Sequence, residues 1–159
     1  MYGIETVALR YFNVFGPHQR PHGNYAAAVP KFVWAALHGQ PITIHGDGEQ
    51  SRDFCFIRNA VDANLRAART EAKLQGEIIN IAGGRRTTLN NLVSELRSLL
   101  GAELHVEFGP PRPGDVRHSL ADVTRAKELL GYEPLVRWED GLAPTVDYLK
   151  SLASRTAKA

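Results

Sequence analysis

The sequence has 159 residues, of which 43% are hydrophobic and 23% charged, a composition typical of one globular domain and not of a disordered chain. No apolar run approaches the roughly 20 residues that span a bilayer, and the first residues lack a secretory signal, so a membrane protein is not expected. The formal net charge of +2 is too small to favour nucleic acid as a partner, yet it would not oppose an anionic small molecule. The one cysteine, Cys55, can form no internal disulfide and indicates a cytoplasmic protein.

The first third of the chain alternates predicted strands and helices. A strand is predicted over 5–12, which is rich in β-branched and aromatic residues and begins so early that the domain looks cut. After a loop rich in glycine and proline, apolar residues at helical spacing over 29–37 predict a helix with Asn24 as its cap. Short strands are predicted at 42–45 and 52–57, on either side of a Gly-Asp-Gly turn.

The rest of the chain continues this alternation. Asn59 is the predicted cap of a helix, and the apolar run at 77–82 is typical of a strand covered on both faces. An apolar stripe over 89–100 predicts a helix that Thr87 or Thr88 caps. A strand at 104–108, a helix at 123–130, a last amphipathic helix and a frayed tail at 151–159 complete the predicted elements. The pattern favours an α/β or α+β fold.

Several kinds of catalytic site are not indicated by the sequence. The glycines form neither Gly-x-Gly-x-x-Gly nor a Walker loop, so no dinucleotide cradle is predicted. None of the five tyrosines is followed four residues later by lysine. His18 and His22 flank a proline and have no carboxylate or thiol partners nearby, so no metal site is predicted. Cys55 lies in a predicted strand and is interpreted as a small buried hydrophobe.

The candidates for anion binding are stronger. Arg52 follows the Gly-Asp-Gly turn, and Arg112 lies in a proline-stiffened loop three residues before Asp115. Arginine binds phosphate oxygens with two parallel hydrogen bonds, and a carboxylate accepts both hydroxyls of a ribose. Asn13 lies where a strand ends, the position at which α/β proteins bind ligands. The alternatives are surface arginines paired with carboxylates, and a turn or cap asparagine.

Three segments together resemble a known family. Leu-Arg-Tyr-Phe-Asn-Val-Phe-Gly-Pro at 9–17, Gly-Asp-Gly-Glu-Gln-Ser-Arg-Asp-Phe at 46–54 and Pro-Gly-Asp-Val-Arg-His-Ser-Leu-Ala-Asp at 113–122 resemble the NAD-dependent nucleotide-sugar epimerases and dehydratases. These enzymes form the extended branch of the short-chain dehydrogenase/reductase superfamily. Within the branch, the pattern is most similar to UDP-glucose and UDP-N-acetylglucosamine 4-epimerases.

The resemblance covers only the C-terminal half of such an enzyme. The family's Gly-rich turn, central Ser/Thr and Tyr-x-x-x-Lys would all precede Met1, which implies that the chain does not catalyse alone and that NAD is bound in the intact enzyme. The implied fold is the substrate-binding part of an extended short-chain dehydrogenase, with residual strands of the Rossmann-type sheet. In this interpretation 1–16 ends the cofactor-domain sheet, 77–84 returns to that sheet, and 17–150 is mainly the substrate-binding domain. A separate N-terminal half is an implied partner.

The resemblance also implies roles for residues of the first strand and the loop after it. Asn13 matches the asparagine that hydrogen-bonds the diphosphate region of the substrate. Tyr11 and Phe12 match positions beside the nicotinamide of NAD. Gln19 resembles a loop position near the substrate's phosphates or sugar.

The base of a UDP-sugar is implied to bind between a backbone segment and a strand. Ala27, Ala28 and Val29 match the backbone that meets the uracil, and Thr43 and His45 match the strand beside it. The His45 ring could stack on the base, with a plain surface histidine as the alternative.

The diphosphate, ribose and sugar have their own implied contacts. Arg52 matches the arginine on the diphosphate, Arg112 a second phosphate arginine, and Asp115 the carboxylate on the uridine ribose. Ser119 matches a position in the sugar pocket, where a small side chain leaves room for an N-acetyl group; the alternative is a small packing residue.

Three functions remain open at this stage. The first is the nucleotide-sugar-binding half of a 4-epimerase, whose family removes a hydride from C4 and returns it to the other face. The second is part of a nucleotide-sugar 4,6-dehydratase or decarboxylase, and the third is a noncatalytic binding module.

Overall fold

Strands and helices alternate in the folded chain, and most strand pairs are parallel. A computed structural model describes residues 3–23 and 27–156. The strands are β1 (Thr6–Tyr11), β2 (Val14–Phe15), β3 (Ile42–His45), β4 (Ser51–Arg52), β5 (Cys55–Phe56), β6 (Gln75–Ile81), β7 (Thr87–Thr88) and β8 (Val106–Gly109). The helices are α1 (Ala28–Leu37), α2 (Ile57–Arg69), α3 (Leu89–Leu100), α4 (Thr124–Leu130) and α5 (Trp138–Thr156).

The strand pairing requires long crossovers. β1 pairs with β6, β2 with β5 and β3 with β8 in parallel, whereas β4 and β7 are antiparallel. A parallel pair cannot be joined by a hairpin, so helices separate the partners in sequence and cover the strands in space. This arrangement brings segments that are 60 to 70 residues apart into contact, for example His45 of β3 with Gly109 of β8.

Two hydrophobic clusters stabilise the fold. The first packs α1, α3 and α5 around β3, and Val33, Ile44 and Leu92 are among its fully buried side chains. The second packs α2 and α4 against β1 and β6, with Ile79 and Ile81 fully buried. Each such side chain contributes about 1.5–3 kcal/mol relative to an exposed position. The pairing of β1 with β6 is consistent with the predicted grouping of 1–16 with 77–84, and that domain division stays a prediction.

The ends of α3 follow the sequence signals. The Thr88 hydroxyl accepts a hydrogen bond from the backbone N–H of Asn91 at 3.1 Å, which confirms Thr88 as the cap. Gly101 ends the helix in the left-handed conformation, with φ at 61°. The predicted cap Asn24 of α1 lies outside the described residues.

The prediction of one strand over 52–57 is wrong. Two-residue strands β4 and β5 occupy this region, and Ile57 already begins α2. Asn59 is therefore inside the helix and does not cap it. Its amide group is buried and exchanges two hydrogen bonds with the backbone of Val136, at 2.8 Å and 2.9 Å. The asparagine that the local sequence predicts as a helix cap therefore makes a tertiary contact instead.

Two further expectations are corrected at β6 and at the C-terminus. Ile78 on β6 is 58% exposed, so one face of this strand is open among the described residues, although the apolar run predicts two covered faces. The predicted tail at 151–159 is wrong for 151–156, which continue α5 because Leu149 and Leu152 still contact the first cluster. No helix within 3–23 and 27–156 combines the length and apolarity needed to cross a membrane.

Replacing Gly141 by alanine is expected to destabilise the protein by about 1–2 kcal/mol, although alanine has the higher helix propensity. A Cβ atom at this buried position of α5 would lie 2.5 Å from Cδ2 and 2.6 Å from Cγ of Phe56. Chemical denaturation measures the change, with Asp147→Ala as a comparison at an exposed position of the same helix. Unchanged or increased stability of Gly141→Ala would contradict the close packing of α5 on β5.

Candidate functional site

A charged cleft lies where several strands end. It consists of three adjoining cavities that share Arg112 and Asp115 in their walls. The inner cavity, about 190 Å³, is lined by Asn13, Phe15, Ala27, Ala28, Val29, Arg52, Phe54 and Leu89 besides the shared pair. The middle cavity, about 140 Å³, is lined by Ala28, Lys31, Phe32, Thr43, Ile44, His45, Gln50 and Leu89. The outer cavity, about 440 Å³, is lined by His45, Gly46, Asp47, Gln50, Gly109, Pro111 and Arg117.

Arg52 anchors one wall of the cleft. Its Nη2 atom donates to Oδ1 of Asp115 at 2.6 Å, and its Nη1 atom donates to the carbonyl oxygen of Val116 at 2.6 Å. The side chain is 18% exposed. The sequence allowed two interpretations of Arg52, a surface arginine paired with a carboxylate or an arginine that binds a ligand. In the structure Arg52 is paired with Asp115, and it also lines the inner cavity.

The loop at 110–118 is held against the Gly-Asp-Gly turn by further contacts. The hydroxyl of Ser51 lies 3.0 Å from Nδ1 of His118, and the backbone of Ser51 bonds the loop on both sides of that residue. Arg117 donates to Oδ2 of Asp47 at 2.8 Å, and this hydrogen bond lowers the pKa of the Asp47 carboxyl. These contacts fix the loop that carries Arg112 and Asp115.

Asp53 lies buried beneath the cleft. Its Oδ2 atom accepts a hydrogen bond from the backbone N–H of Ala121 at 3.1 Å. Burial raises the pKa of this carboxyl, and the backbone amides of Ala121 and of 83–85 oppose that rise. The carboxylate is therefore tied to the segment that follows the 110–118 loop, and its Oδ1 atom makes no hydrogen bond among the described residues.

Asn13 is held in an unusual conformation at the end of β1. Its φ angle of 39° lies in the left-handed region, which asparagine tolerates better than most residues. The Nδ2 atom donates to the carbonyl oxygen of Asp53 at 3.4 Å. Asn13 also lines the inner cavity, and its predicted role as a donor to a ligand stays a prediction.

Nine of the residues predicted to bind substrate line the cleft. These are Asn13, Ala27, Ala28, Val29, Thr43, His45, Arg52, Arg112 and Asp115. Ala27, Ala28 and Val29 at the start of α1 line the inner cavity, and Ala28 also lines the middle one. The His45 ring lies 3.3 Å from the carbonyl oxygen of Pro110, so its Nδ1 atom is tied to the loop. The roles assigned to these residues stay predictions.

Four predicted residues lie outside the walls of the three cavities. Gln19 donates from Nε2 to the carbonyl oxygen of Val14 at 3.1 Å, and Ser119 donates its backbone N–H to the carbonyl oxygen of Ser51 at 3.0 Å. The other two, Tyr11 and Phe12, follow each other at the end of β1, where Tyr11 is 47% exposed.

Twelve residues of the cleft walls were not predicted as site residues, and the charged or polar ones among them are Lys31, Asp47, Gln50 and Arg117. Lys31 had a usable signal, because it lies three residues after Ala28 and therefore on the same helix face. The Asp47–Arg117 pair joins positions 70 apart, so no local pattern could reveal it.

The thiol of Cys55 is buried, and this burial is expected to make it react slowly. Its Sγ atom lies 3.9 Å from the hydroxyl of Tyr132, and burial raises the pKa of the thiol to about 11. Because the thiolate is the reactive form, we expect Ellman's reagent at pH 8 to modify the folded protein about 100-fold more slowly than the urea-unfolded protein. Comparable rates in the two states would contradict the buried position of this thiol.

The described residues provide neither a group of metal ligands nor a complete site for NAD. Within 3–23 and 27–156, no three His, Cys, Asp or Glu side chains are grouped as metal ligands. The residues present do not fit a complete NAD molecule, because the sequence holds no Gly-rich turn and Tyr11 and Phe12 line none of the three cavities. The hydroxyl of Tyr11 is instead hydrogen-bonded to Asn64 at 2.8 Å and 3.0 Å.

The fold and the cleft first define a class: an α/β protein with a charged ligand site at the carboxyl ends of parallel strands. A profile of the NAD dependent epimerase/dehydratase family matches residues 1–82. The chain belongs to this family, which confirms the resemblance carried by the three motifs.

Solved structures and curated relatives agree with this assignment. UDP-glucose 4-epimerase from Thermotoga maritima, solved with UDP-glucose, is 42% identical, with a TM-score of 0.88 over 96% of this chain and 48% of that one. UDP-N-acetylglucosamine 4-epimerase from Methanobrevibacter ruminantium, solved with UDP-N-acetylmuramic acid, is 39% identical, with a TM-score of 0.88 over 95% and 48%. UDP-N-acetyl-alpha-D-glucosaminuronate decarboxylase from Bacillus cytotoxicus is 32% identical over 94% of this chain and 48% of its own length. The two superpositions confirm the predicted α/β fold, which is that of part of an extended short-chain dehydrogenase. The chain spans about half the length of the curated relatives it matches.

Proposed function

We propose that this chain is the nucleotide-sugar-binding part of an NAD-dependent 4-epimerase that acts on a UDP-hexose or a UDP-N-acetylhexosamine. The observation that carries the proposal is the continuous cleft, in which three cavities share Arg112 and Asp115. The similarity to 4-epimerases solved with UDP-glucose and with UDP-N-acetylmuramic acid supports the substrate class.

The chemistry of the cleft suits the parts of a UDP-sugar in order. Arg52 and Asn13 in the inner cavity offer donors to a diphosphate, and Arg112 adds a second guanidinium. Asp115, which is shared by all three cavities, is placed to accept the ribose hydroxyls. Ala28 at the start of α1 and the Thr43–His45 segment flank the space left for the base.

We assign catalysis and NAD binding to residues outside this sequence. The sequence contains neither a Gly-rich dinucleotide turn nor Tyr-x-x-x-Lys. The β1–β6 pair also has an open face, on which Ile78 is 58% exposed, whereas parallel sheets are normally covered on both faces. In the proposal an N-terminal half, separate or joined, covers this face, so that 1–16 and 77–84 belong to the cofactor sheet and 17–150 mainly to the substrate domain. A cytoplasmic location is proposed because Cys55 is a free thiol.

The proposal is tested by complementation. The chain alone is expected not to interconvert UDP-glucose and UDP-galactose, or their N-acetylated forms. A chimera that joins the N-terminal half of the Thermotoga maritima relative to this chain is expected to catalyse the interconversion. Turnover by the chain alone would refute the assignment of catalysis to other residues. An inactive, folded chimera that also binds no UDP would refute the epimerase proposal and favour a noncatalytic module.

A second function, in a nucleotide-sugar decarboxylase or 4,6-dehydratase, is supported by the 32% identity to the Bacillus cytotoxicus decarboxylase. A second chimera, with the N-terminal half of that decarboxylase, distinguishes it when UDP-glucuronate or UDP-N-acetylglucosaminuronate is the substrate. Release of carbon dioxide, with no change at C4 of the neutral sugars, would favour the decarboxylase.

A further inference from the structure

Lys31 is a cation of the cleft that the motifs do not assign. It lies in α1 three residues after Ala28, and both residues line the middle cavity. Its ammonium group makes no hydrogen bond or ion pair with another of the described residues, whereas Arg52 and Arg117 are paired with carboxylates. With Arg112 it is one of two lysine or arginine side chains in the middle cavity, and both are unpaired among the described residues.

The order of the cavities determines which part of a nucleotide Lys31 would meet. The inner cavity contains Asn13 and Arg52 and does not include Lys31. The middle cavity contains Lys31 and the two strand positions Thr43 and His45. With the diphosphate in the inner cavity and the ribose at the shared carboxylate, the middle and outer cavities remain for the base, and of these two only the middle one is lined by both Thr43 and His45, the positions matched to the base. Lys31 is therefore on the side of the base and not of the phosphates.

An ammonium group discriminates between pyrimidines by hydrogen bonding. It carries three donors and no acceptor. Uracil presents a carbonyl oxygen at C4, whereas cytosine presents an amino donor there. A donor that meets another donor loses its hydrogen bond, and sites built on such bonds reject the wrong ligand strongly.

We propose that Lys31 is a specificity residue for the nucleobase: it donates a hydrogen bond to the C4 carbonyl oxygen of uracil and so selects uridine over cytidine nucleotides. The proposal rests on the proposed function, because it takes the ligand of the cleft to be a uridine diphosphate sugar. It deepens that function by assigning base selection to a side chain, in addition to the backbone of α1 and the strand beside the base.

Protein-detected NMR titration with UDP and CDP tests the proposal on the full chain. The wild-type protein is expected to bind UDP at least 10-fold more tightly than CDP. Lys31→Met is expected to weaken UDP binding about 10-fold and to change CDP binding less than 2-fold, whereas Lys31→Arg retains part of the preference. Lys73→Met, at an exposed position outside the cleft, is the matched control. Thermal melting shows whether each variant is folded.

The possible outcomes separate the inference from the function on which it rests. Equal loss of UDP and CDP affinity in Lys31→Met would make Lys31 a phosphate contact and overturn base selection. Unchanged UDP binding in that variant would show that Lys31 makes no contact and would overturn the inference alone. Wild-type protein that binds neither nucleotide would overturn the proposed nucleotide site together with the inference.

Discussion

Replacing Arg52 by alanine is expected to weaken UDP binding at least 30-fold, the largest loss of any single change in the cleft. The substitution removes a guanidinium from the inner cavity and breaks the 2.6 Å contact to Asp115. It also frees the loop, because the carbonyl oxygen of Val116 loses its donor. The variant thus loses a contact to the phosphates and also the fixed position of Asp115, the carboxylate proposed to accept the ribose hydroxyls. NMR titration with UDP measures the change.

Two control variants separate charge from geometry at this position. Arg125→Ala removes an exposed arginine from α4, outside the cleft, and is expected to leave UDP affinity within 2-fold. Arg52→Lys keeps the charge but loses the planar fork that reaches both loop acceptors, so we expect an intermediate loss. Folded Arg52→Ala protein that binds UDP within 3-fold of the wild type would contradict the role of Arg52.

Replacing Asp53 by alanine is expected to lower the free energy of unfolding by about 2–3 kcal/mol. The carboxylate is fully buried and accepts the backbone N–H of Ala121, which would be left without a partner. Urea denaturation measures the loss. Asp53→Asn, which keeps one carbonyl oxygen, is the matched variant and should lose less; equal stability of the alanine variant and the wild type would contradict this account.

Asp53 also predicts a pH dependence with a definite sign. Burial raises its folded-state pKa above the ordinary value of 3.8, so ionisation is more costly in the folded protein than in the unfolded chain. The stability associated with this group is therefore fully present below pH 3.8 and is lost as the pH rises through the folded-state pKa. Relative to Asp53→Asn, the wild type should lose stability across this window. A constant difference between the two proteins from pH 3.5 to 7 would contradict the raised pKa.

Sequence reasoning found the elements whose signal is local. β1, β3 and α3 follow directly from runs of β-branched residues or from helical spacing, and the Thr88 cap was predicted correctly. It failed between Ser51 and Asn59, where tertiary contacts override local preference. There the strand is broken into two short pairs, and the asparagine is hydrogen-bonded to Val136, 77 residues away.

In the candidate site, too, the sequence predicted residues with a local signal but not the contacts between distant segments. Motifs predicted Arg52, Arg112 and Asp115 and left open that an arginine pairs with a carboxylate, but they did not identify Asp115 as the partner of Arg52. The contact spans 63 residues and depends on how the 110–118 loop folds back over β4. Lys31 was overlooked because a lysine on an exposed helix face is usually only solvated, and the cavity beside it is created by distant strands.

The central claim is that the cleft around Arg112 and Asp115 binds a uridine diphosphate group. The most direct test is an NMR titration of the isotope-labelled chain with UDP. We expect saturable binding with a dissociation constant of about 0.1 mM, with the largest shifts at Asn13, at the first turn of α1, at Arg52 and along 110–118. The exposed surface of α4 should not respond. Shifts confined to residues outside the cleft, or no saturable shifts at 10 mM UDP for either the chain or its chimera with the N-terminal half, would contradict the claim.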